Sequence, residues 1–190
     1  SGSPAAAPTA SPETGLVELN TVGPYRPNAE ETMMIRLLFS ESSVELFDFR
    51  VSDEYTSVKV WYEEYRNGVL QRTGARASHD IQAYDEASGK IAVIFEPSFI
   101  RISLLTSAGG SAVTEYPDAS QDPIGTGEYT TERSGMKKAV EIEDQKAIPL
   151  LAIAQNGEDK ILHPPERLFD SPENINRHDV LYIFYCSFSK

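Results

Sequence analysis

Trp61, Tyr62 and Tyr65 stand close together, interleaved with Glu63 and Glu64, just ahead of an Asn67-Gly68 dipeptide and after Tyr55. In a strand, successive side chains point to opposite faces, so Trp61, Glu63 and Tyr65 share one face while Tyr62 and Glu64 share the other. Aromatic rings beside acceptor carboxylates commonly hold sugar rings and protein hot spots, which makes Trp61, Tyr65 and Glu63 the candidate ligand-binding residues. The competing assignment is packing. One face of such a strand belongs to the core, and the face carrying Val58, Val60 and Tyr62 is the one expected inside.

Other reactive side chains do not assemble into a site. His79, His163 and His178 are widely separated and lie in polar or proline-rich settings, whereas a metal centre needs imidazoles that converge. Ser134 precedes Gly135 without the Gly-x-Ser-x-Gly elbow of an activated nucleophile. The adjacent Glu63 and Glu64 point to opposite faces, cannot share a substrate atom and read as a solvated edge. Gly125-Thr-Gly127 has no strand before it or helix after it to aim backbone amides at a phosphate. Asp118, Asp122 and Glu128 lack the spacing of an EF-hand and read as a solvated loop. No catalytic residue, metal ligand or cofactor is assigned.

The 29 acidic against 17 basic residues leave a formal charge of −12, a field that repels polyanions, so nucleic acid is not an expected partner. A single cysteine, Cys186, excludes an intrachain disulfide. Its setting in a β-rich apolar run reads as a small buried hydrophobe. No stretch approaches the roughly 20 apolar residues of a membrane span, and no hydrophobic signal segment stands at the start, so a soluble chain is expected.

The elements that must position these residues read as short strands. The segment 44–51 puts Phe47, Phe49 and Val51 on one face with period two. Asn67-Gly68 supplies the positive φ angles of a type I′ turn, so 56–65 and 69–73 should form a hairpin. A second hairpin is expected between 80–84 and 90–96 through the loop 85–89. Pro97 should end or bulge a strand, 98–106 resumes it, and Gly109-Gly110 turns into 111–116. The segment 117–135 reads as a long exposed loop, 137–143 and 148–154 as strands (with 136–146 alternatively helical), and Gln155-Asn156-Gly157 as a turn leading into 160–162. Over 28–39, Asn28 with Glu31 resembles a helix capping box, but the dense apolar run favours a buried strand. Ser171 before Pro172 and Glu173 suits one or two short helical turns near 164–176. The near-continuous hydrophobicity of 179–188 marks a central strand covered on both faces. Many short strands with glycine turns and no β-helix-β alternation indicate a mostly β chain folded as a two-sheet antiparallel β-sandwich, for which an immunoglobulin-like topology is the commonest solution.

Residues 1–15 carry Pro4, Pro8 and Pro12 among small side chains and cannot repay their ordering entropy. They are expected to be a disordered tether ahead of one domain spanning 16–190. This Ser/Pro/Ala-rich composition resembles the spacer that follows the acylated cysteine of bacterial surface lipoproteins, although an interdomain linker has the same composition. The resemblance implies a lipid anchor in the precursor and an extracellular or cell-surface location. The resulting expectation is a non-enzymatic binding domain recognising protein or glycan. The alternative is a structural or assembly subunit that pairs through an exposed edge strand.

Overall fold

Two-residue periodicity builds this molecule. The computed structural model describes residues 17–39, 43–81, 86–96, 98–116, 129–157 and 178–190. Strand β1 (Thr21–Pro24) leads into helix α1 (Ala29–Leu38), followed by β2 (Val44–Ser52), β3 (Ser57–Arg66), β4 (Val69–Asp80), β5 (Glu86–Glu96) and β6 (Phe99–Thr106). Then come β7 (Gly109–Glu115), β8 (Tyr129–Gly135), β9 (Val140–Glu141), β10 (Ile148–Gly157) and β11 (Val180–Ser189). A six-stranded sheet of order β7-β6-β5-β2-β1-β9 packs on a five-stranded sheet of order β4-β3-β11-β10-β8. All pairings between these strands are antiparallel, and the result is the expected two-sheet β-sandwich. It has more strands than an immunoglobulin constant-type domain.

The space between the sheets holds Phe47, Phe49 and Val51 from β2, Val58, Val60 and Tyr62 from β3, and Phe184, Cys186 and Phe188 from β11, all buried. Phe49 and Phe188 meet edge to face across the gap at 5.2 Å, an arrangement that adds to simple area burial. The valine face of β3 is therefore core. Strand β11 lies in the middle of its sheet, as its composition requires, and buries Val180, Leu181, Ile183 and Phe184. The Asn67-Gly68 hairpin forms as expected between β3 and β4, with φ of 49° and 80° at the two turn residues. The thiol of Cys186 is fully buried, and burial pushes its pKa up.

Several local expectations fail. The segment after Asn28 is a helix, not a strand. The Asn28 side chain accepts from the Glu31 amide at 2.9 Å, and Glu31 accepts in return from the Asn28 amide at 2.9 Å, so cap chemistry prevails over apolar density. The second hairpin does not form among the described residues: β4 pairs with β3, while β5 begins at Glu86 and has β2 and β6 on its two edges. Residues 129–135, expected in a loop, form β8 against β10. Gln155-Asn156-Gly157 extends β10 instead of turning, and 137–143 contributes only the two-residue β9. The tether over 1–15, the break at Pro97, most of the long loop, the strand at 160–162 and the helical turns near 164–176 fall outside the described residues.

Candidate functional site

Helix α1 leaves the six-stranded sheet where Pro24 ends β1, and its first turn is fastened to that sheet. The Tyr25 amide donates to Leu46 O at 2.9 Å, and the Tyr25 hydroxyl donates to Glu31 Oε2 at 2.5 Å. Lys90 Nζ sits 3.1 Å from the centroid of the Tyr25 ring and 3.1 Å from Asp48 Oδ1. Hydrogen bonding to the Glu31 carboxylate pushes the Tyr25 pKa up to about 12, and the same bond, with that from the Asn28 amide, holds Glu31 below its ordinary range. Beyond this anchor the helix is nearly free of the body. None of its residues is buried. Thr32, Ile35 and Phe39, spaced i, i+3, i+7, are half-covered, while Met33, Met34, Leu37 and Leu38 are 64, 54, 73 and 66% exposed. Those four residues form one stripe along two turns.

A groove of about 450 Å³ opens beside the end of that stripe, between Leu37, Leu38 and Phe39 on one side and Glu96, Ser98 and Phe99 on the other. A helix with an apolar stripe ordinarily turns that stripe toward the core, and contiguous exposed apolar surface marks interaction sites. The stripe with its groove is therefore the strongest candidate site in the described chain. A separate depression of about 360 Å³ on the outer face of the six-stranded sheet is less suited to charged ligands: Arg50 is held by Glu86 at 2.6 Å and Lys90 by Asp48.

The sequence-derived candidates lie elsewhere. Trp61, Glu63 and Tyr65 share the outer face of the five-stranded sheet, as their spacing requires, and all three are half-buried. Trp61 stacks on Tyr185 at 5.6 Å with an interplanar angle of 22°. The Tyr65 hydroxyl donates to Glu63 Oε2 at 2.6 Å, and Tyr65 and Tyr185 pack against buried Ala152, Ala154, Leu181 and Ile183. Much of each ring and the Glu63 acceptor is thus engaged within the chain. Burial carries the Tyr185 hydroxyl up to about 12.

Glu64, read as part of a solvated edge, is 2% exposed and points into the sandwich. It accepts from Arg66 Nε at 2.8 Å and Arg72 Nε at 2.6 Å. Arg72 reaches Glu115 at 3.4 Å, and the Tyr62 hydroxyl donates to Glu115 at 2.6 Å. This network ties β3 and β4 to β7, the facing edge strand of the other sheet. Near the same end Glu45 and Arg133 also point inward. Arg133 Nη2 donates to Phe95 O at 3.0 Å, while its Nη1 is buried without a hydrogen-bond partner among the described residues. The parity of Glu45 with Phe47 and of Glu64 with Tyr62 is the sequence signal that would have placed both carboxylates inside.

Burial raises the Glu45 pKa, only partly offset by the Arg133 charge. The folded chain then binds this proton more tightly than the unfolded one. The associated stability is complete below the unfolded-state pKa and is lost as pH rises through the folded-state value. Glu45→Gln, which mimics the protonated form, should match the parent near pH 4 and exceed it at pH 7 in urea midpoint. A lower midpoint at pH 7 would show instead that Arg133 depends on the charge.

Among the described residues no three His, Cys, Asp or Glu side chains converge as metal ligands, and no helix is long and apolar enough to cross a membrane. His178 is buried with its Nδ1 3.1 Å from Asn156 Nδ2, and His79 is half-buried. No protein-family model, curated protein or solved structure matches the chain.

Proposed function

We propose that this chain is a non-enzymatic binding module that docks onto a protein through the Met33, Met34, Leu37 and Leu38 stripe of α1. The observation that carries this reading is the exposure of four large apolar side chains on one helix that is fastened to the sheet at its first turn. Burying one such side chain contributes about 1.5–3 kcal/mol, so the stripe offers on the order of 6–12 kcal/mol before the cost of association. That cost, about 4–15 kcal/mol, is of the same size, so a stable complex also draws on the groove and on methionines that adapt to irregular partners. The mode is a helix laid into an apolar surface, read through i, i+3 and i+4 anchors. A location outside the cytoplasm belongs to the same proposal and is supported by the composition of residues 1–15.

Recognition of glycan by Trp61, Tyr65 and Glu63 is the second reading, favoured by the half-exposed Trp61 and Tyr185 stack. The two separate experimentally. Met34→Ser/Leu37→Ser and Trp61→Ala chains, used as baits alongside the parent in cells that make the protein, should differ. Recovery of a specific partner should fall at least about tenfold with the α1 variant, the equivalent of about 1.4 kcal/mol, and persist with Trp61→Ala. Equal recovery of every partner by the parent and the α1 variant would refute docking through α1.

A further inference from the structure

The chain carries two Asn-Gly dipeptides, Asn67-Gly68 and Asn156-Gly157, and the fold treats them oppositely. We propose that Asn67-Gly68, at the tip of the β3–β4 hairpin, is a site of spontaneous covalent modification in the folded protein, converting to aspartate and isoaspartate, while Asn156-Gly157 is held inert. Asparagine is a thermolabile residue, and the chemistry needs only water. The Gly68 backbone nitrogen gives up its proton to solvent and attacks Asn67 Cγ. A C–N bond forms, the Cγ–Nδ2 bond breaks, and Nδ2 leaves as ammonia after taking one proton back from solvent, which closes a five-membered succinimide. Water then opens the ring. Cleavage of the bond between Cγ and the Gly68 nitrogen leaves aspartate. Cleavage on the main-chain carbonyl side leaves isoaspartate, in which the chain runs through Cγ and gains one methylene.

The hairpin tip leaves every reacting atom accessible. Asn67 is exposed, and its side chain has no hydrogen-bond partner among the described residues. The attacking residue has no side chain to hinder it, and the amide that donates to Asp179 O at 3.0 Å is that of Asn67, not that of Gly68. Ring closure requires rotation about the Asn67 Cα–C bond, out of the left-handed turn with its φ of 49°, so the tip must open briefly. Opening costs little there. Val69 and Leu70 are 60 and 49% exposed, β4 is an edge strand, and the ladder shifts register between Glu64 and Tyr65. Asn156 is the reverse case. It is 1% exposed, which keeps water away. Its Nδ2 lies 3.1 Å from His178 Nδ1, its Oδ1 accepts from the Asp179 amide at 3.1 Å, and the Gly157 amide, which would be the nucleophile, donates to Asp179 Oδ2 at 3.0 Å. Strands β8 and β11 flank this end of β10, so freeing Asn156 means opening a strand paired on both sides.

The test is peptide mapping by mass spectrometry of the full chain held for days in warm, mildly alkaline buffer, with the urea-unfolded chain as reference and electron-based fragmentation to separate aspartate from isoaspartate. Unfolded, the two dipeptides should convert at similar rates. Folded, Asn67 should convert at least about a hundredfold faster than Asn156, because local opening gates each reaction. Ion exchange then separates the products by their added negative charge. The aspartate form should melt like the parent, since aspartate tolerates the left-handed turn position, whereas the isoaspartate form should melt lower, since the extra methylene disrupts the two-residue turn that pairs Arg66 with Val69. Asp179→Ala, which frees the Gly157 amide while keeping the main-chain acceptor of Asn67, should raise conversion at Asn156 alone, and Asp179→Asn, which keeps a side-chain acceptor oxygen, should suppress it again. An Asn67 that stays unmodified in the folded chain, or that converts no faster than Asn156, overturns the inference. Docking through α1 stands or falls separately.

Discussion

Glu64→Ala is expected to cost about 2–4 kcal/mol of folding stability, less than the full penalty for breaking a buried ion pair because both guanidinium partners keep some contact with water. The carboxylate is 2% exposed and is shared by the guanidinium groups of Arg66 and Arg72, at 2.8 and 2.6 Å. Its loss leaves two partly buried cations facing the aromatic interior, with Arg72 already lying 5.5 Å from the centroid of the Tyr62 ring. Arg72 keeps Glu115, but at 3.4 Å and with a third of each side chain in water, a contact too solvated to compensate. The effect is checked by urea unfolding, in which the midpoint should fall without a large change in slope. A loss under about 1 kcal/mol would mean that the network is solvated and that Glu64 is dispensable.

Gly89→Ala should be the next most damaging change, at about 1–3 kcal/mol from overpacking. A Cβ at this position would lie 2.4 Å from Phe49 Cζ and 2.5 Å from the Leu105 carbonyl oxygen. Neither neighbour can yield easily. Phe49 is fully buried against Phe188, and Leu105 is fixed in the β6 ladder, where it pairs with Lys90 beside the Gly89–Thr106 pair. Gly135→Ala is the matched control, since its Cβ would find nothing closer than Glu45 Oε2 at 3.7 Å and Leu150 O at 3.8 Å. It should be neutral or slightly stabilising, because alanine narrows the unfolded ensemble. Equal melting temperatures for the two variants would contradict the packing described around β2, β5 and β6.

Local chemistry made much of this fold legible. Phe47, Phe49 and Val51 alternate because β2 has one face in the core, and Asn67-Gly68 turns because both residues tolerate positive φ. The partner of β5 was not legible, since the contest between β4 and β2 is decided by packing across the sandwich and leaves no mark on a short loop. Gln155-Asn156-Gly157 has turn composition but stays extended because Asp179, just before β11, holds it. The Gly157 amide donates to Asp179 Oδ2 at 3.0 Å, and the Asp179 amide donates to Asn156 Oδ1 at 3.1 Å.

The candidate site was half legible. Asn28 and Glu31 announced the helix start, yet five large apolar side chains within ten residues suggested burial, and nothing in a single sequence says whether a neighbour arrives to supply it. The same ambiguity ran the other way for the aromatic cluster. Trp61, Glu63 and Tyr65 do share a face, but Tyr185, contributed from the far end of the chain, takes one side of the indole. Exposure is a property of the whole fold, and it moved the strongest candidate site from the aromatic strand to the helix.

Hydrogen–deuterium exchange of α1 tests most directly whether its stripe is open in the lone chain and covered by a partner. A ten-residue helix without buried residues has little tertiary support, so its amides should exchange far faster than those of β11 in dilute protein. They should then slow markedly when the occupant is present, with β11 unchanged. Amides of α1 as protected as those of β11 in dilute monomer would show that the helix is already covered by its own chain, and would contradict the account.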